Sequence, residues 1–228
     1  MKRRIRIQGS SVFIALIASL LFSKFLFPTW RGEVVDELLD ALGTGMVLFG
    51  FLFRISARGH KAERSPDGEA LVTDGPYALV RHPMYFGTLL IGLGIITILL
   101  NEWALPPFLI LFSLIYLPQI RREQRKLTGC FGDAYRAYCE KTPTYFPRIL
   151  SLIQLNLRES LPLRTRWFRR ELVSLVGVFS TIVAIEIWQD VRTFGGAEWP
   201  KELLELLLAG MLYLVILLLL YRMKRGRA

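Results

Sequence analysis

The apolar stretch that decides the fold runs from Met84 to Leu117, with the sequence MYFGTLLIGLGIITILLNEWALPPFLILFSLIYL. It contains a single charged residue, Glu102, which together with Asn101 separates two apolar blocks. A helix that crosses a hydrocarbon core of about 30 Å needs roughly 17–25 predominantly apolar residues. The stretch therefore predicts two antiparallel membrane helices that are joined by a tight turn.

The whole chain of 228 residues has the composition of a membrane protein, because 53% of its residues are hydrophobic and only 21% are charged. Its two cysteines exclude a disulfide-rich secreted scaffold, and its two histidines leave little material for a metal site, so we predict none. We predict an all-α, multi-pass transmembrane helical bundle of about six helices with a cytoplasmic cofactor pocket. The six apolar blocks are Ser10–Phe27, Leu38–Phe53, Met84–Leu100, Trp103–Leu117, Leu172–Ile187 and Leu203–Tyr221.

The basic residues test this arrangement. A net charge of +10 would also fit a nucleic-acid-binding protein. With six crossings, however, 25 of the 29 Lys and Arg residues fall on one side of the membrane. Cytoplasmic loops collect Lys and Arg, so the pattern predicts that both termini are cytoplasmic and that the partner is the lipid bilayer rather than nucleic acid. Residues Lys2–Arg6 are followed by no small-residue cleavage site, which favours a retained first helix over a signal peptide.

Polar segments divide the chain into three predicted parts. Residues 1–58 form N-terminal transmembrane helices, residues 59–150 form a core with a helical hairpin, and residues 151–228 form a basic linker and two additional C-terminal transmembrane helices. Within the third part, Leu161–Arg170 carries Pro162 and several arginines. We expect this segment to lie on anionic lipid headgroups as a linker.

Two further expectations concern the polar segments of the core. Residues from Gln119 to about Lys141 read as a helix that is broken at Gly129 or Gly132, and Thr142–Pro143 should stop it. His60 lies in the segment after the second apolar block, where we expect a solvated loop residue.

The first polar cluster is LVTDGPYALVRHPMYFG, which begins at Leu71 and directly precedes an apolar block. Asp74-Gly75-Pro76 is a turn sequence, and Pro83 stands where proline opens a helix. Free N–H groups around Met84–Phe86, with Arg81 and His82 as further donors, would then bind a carboxylate or a phosphate. The alternative is a helix start with a basic anchor at the membrane interface.

The second cluster surrounds Glu123, whose neighbours at positions 121, 122, 125 and 126 are all basic. Glu123 would pair with Lys126 if this were only a solvated helix. Tyr135 and Tyr138 share one helix face, which would fit packing at the membrane surface. From these residues alone, the cluster indicates an amphipathic helix at the interface.

Together the two clusters resemble the isoprenylcysteine carboxyl methyltransferase family, which is related to the phospholipid N-methyltransferases. The resemblance covers roughly residues 45–150, and it implies an integral-membrane methyltransferase that uses S-adenosyl-L-methionine on the cytoplasmic side. The pattern that carries it is Tyr77…Arg81-His82-Pro83-x-Tyr85-x-Gly87, followed by Glu123-x-x-x-Leu127…Phe131-Gly132-x-x-Tyr135-x-x-Tyr138…Pro147.

The resemblance also implies which residues contact the cofactor. They are Leu71, Val72, Tyr77, His82, Pro83, Met84, Tyr85 and Glu123. We expect the cofactor to enter from the cytoplasm and a lipophilic acceptor to arrive from the bilayer, with Arg121 or Arg122 holding an acidic acceptor head.

Departures from the family pattern leave the acceptor open. Gln119 occupies the position where the prenylcysteine enzymes have an arginine, and Gln124 occupies a position where the family often has a second glutamate. A prenylcysteine carboxylate, a phospholipid amine, a quinone-like lipid and a small thiol therefore all remain candidates.

Two other functions stay open from the sequence. Membrane reductases of the sterol-reductase type carry a related Arg-His-Pro-Asn-Tyr pattern and use NADPH, although Met84 stands here at the asparagine position. A non-catalytic membrane scaffold would keep the same helices without activity.

Overall fold

The computed structural model describes residues 33–99, 102–148, 160–168 and 171–190. Throughout these ranges the chain forms helices and loops without a strand, so the prediction of an all-α fold is confirmed for them. The first and sixth predicted membrane helices lie outside the described residues. The helices are α1 (Glu33–Arg64), α2 (Pro76–Leu79), α3 (Pro83–Leu99), α4 (Leu105–Lys141), α5 (Thr165–Phe168) and α6 (Leu172–Asp190), with a 3₁₀ turn at Glu102–Ala104.

Two helical segments in the described ranges are long and apolar enough to cross a membrane, namely Val34–Arg64 and Glu102–Lys141. Pro83–Leu99 and Ser174–Val183 are shorter apolar segments. At a rise of 1.5 Å per residue, α1 and α4 are about 48 Å and about 55 Å long, which exceeds a hydrocarbon core of about 30 Å. Both helices therefore have length left over for a polar region beyond the apolar one.

Helices α1 and α3 pack antiparallel at two pairs of glycines. A Cβ atom on Gly50 would lie 2.6 Å from the carbonyl oxygen of Gly87, and one on Gly87 would lie 2.5 Å from that of Gly50. Gly43 and Gly94 approach each other in the same way. Small residues let the backbones of membrane helices touch directly, so these glycines fix the crossing of the two helices.

The sequence prediction was wrong about the end of α1. The apolar block ends at Phe53, but the helix continues to Arg64. Its polar residues in this part have partners elsewhere in the chain: Arg54 bonds Glu171 and His60 bonds Asp74. The charged continuation is thus stable as a helix because the tertiary structure pairs its side chains.

Helix α4 joins the fourth apolar block to the polar segment after it, since the helix passes through Pro118 without a break. The predicted break is at Gly132, where φ is +49° and ψ is −121°, and the predicted stop is at Thr142. The predicted antiparallel hairpin with α3 is also present. The ring of Phe108 fills the space beside Gly92. Tyr85, which precedes Gly92 on α3, contacts Tyr116, which follows Phe108 on α4.

The segment that was expected to lie on lipid headgroups instead packs against α1. Leu161 and Trp167 are buried, and the Trp167 ring occupies the space where a side chain on Gly59 would lie. Arg164 forms an ion pair of 2.6 Å with Glu63. Residues 161–167 pack there because α1 offers both an apolar surface at Gly59 and the carboxylate of Glu63.

The main hydrophobic core then connects α1, α3, α5 and α6. Its buried residues are Val47, Phe51, Ile55, Ile91, Ile98, Leu99, Trp167, Leu175 and Ile182. Helix α4 contributes little to this core, and much of its apolar surface is exposed, as a helix that faces lipid requires.

Candidate functional site

The predicted turn is present and is anchored to α1. Gly75 has a φ of +58°, which favours glycine, and Pro76 begins α2. His60 is 8% exposed, and its Nε2 atom lies 2.9 Å from Oδ1 of Asp74. The expectation of a solvated His60 was therefore wrong, because the turn covers this side chain. Burial would raise the pKa of Asp74, but the hydrogen bond from His60 and the nearby charges, including that of Arg64, lower it overall.

Helix α3 begins at Pro83 as predicted, but its N–H groups are not all free. The carbonyl oxygen of His82 accepts from the N–H of Tyr85 at 3.0 Å and from that of Phe86 at 3.1 Å. The predicted anion site at Met84–Phe86 therefore loses two of its donors to the residue that precedes the helix.

Arg81 was expected to donate to a ligand, but its donors bond the chain itself. Its guanidinium bonds the carbonyl oxygens of Cys139 at 2.5 Å and Thr142 at 2.6 Å, and its own N–H bonds the carbonyl oxygen of Pro143 at 2.9 Å. A cation at a helix C-terminus satisfies carbonyls that lack helical partners. Arg81 thus fastens the end of α4 to the segment before α3.

The second half of α4 covers the turn by a further contact. The Tyr138 hydroxyl donates to the carbonyl oxygen of Tyr77 at 2.7 Å. Tyr135 and Tyr138 are both buried, so they do not pack on the membrane surface. The kink at Gly132 precedes both tyrosines and redirects this part of α4.

Three side chains converge on Glu123. The Tyr85 hydroxyl donates to its Oε1 atom at 2.6 Å, and the amide of Gln119 donates to the same atom at 3.2 Å. Nδ1 of His82 lies 3.7 Å from Oε2. The two polar clusters of the sequence, which surround Pro83 and Glu123, therefore form one group of contacts.

The charge of this group is concentrated on Glu123. Burial lowers the pKa of His82 to about 4, helped by the charges of Arg81 and Lys61 and opposed by that of Glu123, so its imidazole is neutral at physiological pH. Burial, and then the charge of Glu123, raise the pKa of Tyr77. The site thus presents one carboxylate among neutral aromatic and polar side chains.

Two features of the group suit a polar ligand. Nε2 of His82 is buried and has no hydrogen-bond partner among the described residues. Unpaired buried polar atoms are rare in native proteins, and each needs an explanation. The carboxylate beside it is 35% exposed, so a ligand can reach this side of the site.

The other predicted site residues differ in their exposure. Val72 is buried and Leu71 is half-buried in the extended segment before the turn. Met84 is half-buried in the first turn of α3. Arg121 and Arg122 are exposed, and the cavity that Arg121 lines, of about 440 Å³, is bordered by other residues of α4 (Gln124, Arg125 and Thr128) rather than by Glu123.

Sequence reasoning missed the roles of Gln119, Tyr138 and His60 at this site. The i,i+4 spacing of Gln119 and Glu123 was a usable signal, since such residues share a helix face. The contacts of Tyr138 and His60 join distant segments, and no local pattern indicates them.

Residues 46–129, which include α3 and the first two thirds of α4, match the model of the isoprenylcysteine carboxyl methyltransferase family. This part of the chain belongs to that family. The resemblance seen in the sequence motifs is thereby confirmed. The matched region contains Tyr77, His82, Pro83, Tyr85 and Glu123, and it excludes α5 and α6.

Individual relatives have different names. The cobalt-zinc-cadmium resistance protein CzcN of Cupriavidus metallidurans is 36% identical over 136 residues, which are 59% of this chain and 59% of that protein. The protein-S-isoprenylcysteine O-methyltransferase of Schizosaccharomyces pombe is 28% identical over 62% of this chain and 69% of its own length. The protein-S-isoprenylcysteine O-methyltransferase of Xenopus laevis is 31% identical over 49% of this chain and 41% of its own length.

The match therefore spans about three-fifths of the length of CzcN and less than half of the frog enzyme. No solved structure matches the chain.

Proposed function

We propose that this protein is an integral-membrane methyltransferase that uses S-adenosyl-L-methionine and acts on a lipophilic acceptor. The observation that carries the proposal is the convergence of Tyr85, His82 and Gln119 on Glu123. Membership of the methyltransferase family and the methyltransferase names of several relatives support it.

The cofactor would be held by the residues that the motifs indicate. A carboxylate such as Glu123 accepts strong hydrogen bonds from an ammonium group or from ribose hydroxyls. Aromatic faces attract cations, so Tyr77 and Tyr85 suit a sulfonium. The unpartnered Nε2 of His82 would gain a polar partner. Leu71, Val72, Pro83 and Met84 complete the proposed contact set from the two segments on either side of α2.

When bound, S-adenosyl-L-methionine supplies an electrophilic methyl group on a sulfonium. The chain's own contribution is to orient the two reactants, because holding them in near-attack geometry provides effective molarities of about 10⁵–10⁸ M in good cases. Tyr85 and Gln119 fix the orientation of the Glu123 carboxylate through Oε1. Neutral His82 adds no positive charge that would repel the sulfonium.

A row of aromatic rings supports a lipophilic acceptor. Phe108 contacts Phe112 at 5.9 Å between ring centroids, Phe112 contacts Tyr116 at 4.4 Å, and Tyr116 contacts Tyr85 at 5.3 Å. The row leads from the apolar part of α4 to the Glu123 site. We propose that an acceptor in the bilayer reaches the methyl donor along this surface, and that Arg121 or Arg122 meets an acidic acceptor head.

The class of acceptor can be measured directly. Membranes that contain the protein are incubated with methyl-labelled S-adenosyl-L-methionine, and the lipids are extracted and treated with mild base. Release of the label indicates a carboxyl methyl ester, as expected for an isoprenylcysteine-like acceptor. Label that resists base indicates N-, S- or ether methylation. Absence of labelled product above the level of membranes without the protein would contradict the proposed activity.

The alternatives have no support from the comparisons. A thermal-shift measurement separates them. Stabilisation by S-adenosyl-L-methionine or S-adenosylhomocysteine supports the methyltransferase, and stabilisation by NADPH alone would support a reductase. Stabilisation by none of them would favour a scaffold.

The proposed topology has six crossings with both termini in the cytoplasm. Residues 1–58 and 151–228 would provide the helices that flank the methyltransferase core at residues 59–150. The segregation of the basic residues supports this orientation. Accessibility of single cysteines introduced near each terminus to a membrane-impermeant reagent tests it.

A further inference from the structure

A buried network of charges joins the segment after the family match to the helix that begins the site. Glu171, directly before α6, is 1% exposed, and Arg54 on α1 is 13% exposed. The Nε and Nη2 atoms of Arg54 donate to Oε2 of Glu171 at 3.2 and 3.0 Å. Nη1 of Arg58 lies 2.5 Å from Oε1. Buried charges are rare unless they are paired, and in membrane proteins they mark functional positions.

The third guanidinium nitrogen of Arg54, Nη1, bonds α3 instead of Glu171. Its Nη1 atom donates to the hydroxyl oxygen of Thr88 at 3.0 Å, and this hydroxyl donates to the carbonyl oxygen of Met84 at 2.9 Å. Met84 lies in the first turn of α3, next to Tyr85. Hydrogen bonds therefore run without a gap from Glu171 to the turn that presents Tyr85 to Glu123.

The path of Arg54 also accounts for a glycine of the sequence motif. Its side chain crosses α3 at Gly87, where an added Cβ would lie 2.9 Å from Cγ of Arg54. The glycine leaves room for the arginine to reach Thr88 from one side and Glu171 from the other. The network is thus built into the motif that also contains His82, Pro83 and Tyr85.

We propose that Glu171, Arg54 and Thr88 are positioning residues for the methyltransferase site, through which the segment after the family match sets the orientation of the first turn of α3. This inference rests on the proposed function, because the turn matters only if Tyr85 and Glu123 bind the cofactor. It assigns a role to the start of α6, which lies outside residues 46–129.

A purely structural role is the competing explanation, in which Glu171 only fastens α6 to α1. Glu63 provides the matched comparison. It fastens the same segment to the same helix by bonding the indole of Trp167 at 2.8 Å and Arg164 at 2.6 Å. Within the described part of the chain, its hydrogen bonds and ion pairs lead to residues 164–167 and not to α3.

The experiment measures the affinity for S-adenosylhomocysteine by calorimetry in detergent for the wild type and four variants. Thr88→Val keeps the shape of the side chain and the Arg54–Glu171 pair but removes both hydroxyl bonds. We expect its dissociation constant to rise roughly tenfold, because Tyr85 then holds the Glu123 carboxylate less well in place. Thr88→Ser should restore the wild-type value to within about twofold. Glu171→Gln should weaken binding as Thr88→Val does, and Glu63→Gln should change it less than about twofold.

The melting temperature is recorded for every variant. The proposal requires the loss of affinity in Thr88→Val to occur while the melting temperature changes little. It is overturned if Thr88→Val binds like the wild type, or if Glu63→Gln weakens binding as much as Glu171→Gln. If Glu171→Gln does not fold, the Thr88 variants alone decide. If the wild type does not bind, the proposed function has failed, and this inference fails with it.

Discussion

The apolar and the polar halves of the α1–α3 pair are held together by different forces. In the apolar half, Gly43 and Gly50 of α1 touch Gly94 and Gly87 of α3 at backbone distance. In the polar half, Glu123 of α4 accepts a hydrogen bond from Tyr85 of α3, and Glu171 at the start of α6 pairs with Arg54 of α1. The apolar half is a rigid crossing that tolerates no added atoms, whereas the polar half is a set of separate bonds. The comparison predicts that the first contributes more to stability, and that the second positions the proposed cofactor site.

The largest effect is expected in the apolar half. Gly50→Ala places a Cβ atom 2.6 Å from the backbone of α3, and because backbone cannot move aside cheaply, we expect a loss of about 3 kcal/mol. Gly45 on the same helix has no atom within 4 Å of its Cβ position. Gly45→Ala should therefore gain about 0.5–1 kcal/mol from helix propensity alone. Thermal unfolding in detergent compares the two, and equal stability of both variants would contradict the close crossing.

The next effect tests the strongest bonds of the polar half. Arg81→Met removes the guanidinium bonds to the carbonyls of Cys139 and Thr142, and we expect a loss of about 2 kcal/mol together with weaker cofactor binding. Arg136→Met is the control, because it removes an exposed pair with Asp133 that should contribute less than about 0.5 kcal/mol. Unfolding curves that coincide for the two variants would refute the role of Arg81 as a clamp.

A smaller effect is expected where α4 covers the turn. Tyr138→Phe removes one hydrogen bond to the carbonyl oxygen of Tyr77, at a cost of about 1–1.5 kcal/mol. The exposed Tyr145 serves as the control. If Tyr145→Phe destabilises the protein as much, the contact between Tyr138 and the turn is not specific.

The smallest effect concerns His82 and pH. The pKa of His82 is about 4 in the folded chain, whereas its ordinary value is 6.5. Between these two pH values, the unfolded chain binds a proton at His82 that the folded chain does not. The contribution of His82 to the free energy of unfolding is therefore full above about pH 6.5 and decreases toward pH 4. At pH 5.5 the loss should be about 1 kcal/mol.

The measurement for His82 is the difference in unfolding free energy between the wild type and His82→Gln at pH 7.5 and pH 5.5. Other groups titrate in both proteins and cancel in this difference. A difference that does not change with pH would show that His82 is not buried as a neutral imidazole.

The sequence predicted the apolar half more completely than the polar half. Apolar blocks and a turn between them are local features, and so are the turn at Asp74-Gly75-Pro76, the helix start at Pro83 and the kink at Gly132. The motifs also led to the prediction that Glu123 and the start of α3 form one site. The turn, the helix start and the kink each depend on residues that are close together in the chain, whereas the joining of Glu123 to α3 was predicted from the family resemblance.

The features that sequence analysis missed depend on contacts between distant residues. Arg54 lies 117 positions from Glu171, and the continuation of α1 as a helix follows from such pairs. Arg81 was expected to bind a ligand because nothing near it in the sequence indicates that the end of α4 supplies its acceptors. Leu161–Arg170 was predicted to lie on lipid because its arginines are evident in the sequence. The packing of Trp167 on Gly59 joins distant residues, and no local pattern indicates it.

The most direct measurement of the central claim, that Glu123 holds the methyl donor, is a calorimetric titration of the purified protein with S-adenosyl-L-methionine. Glu123→Gln keeps the size of the side chain and removes its charge, and Glu140→Gln does the same at an exposed position of α4. We predict that the wild type and Glu140→Gln bind with the same affinity, and that Glu123→Gln binds at least about tenfold more weakly at an unchanged melting temperature. Equal affinity for all three proteins would contradict the account.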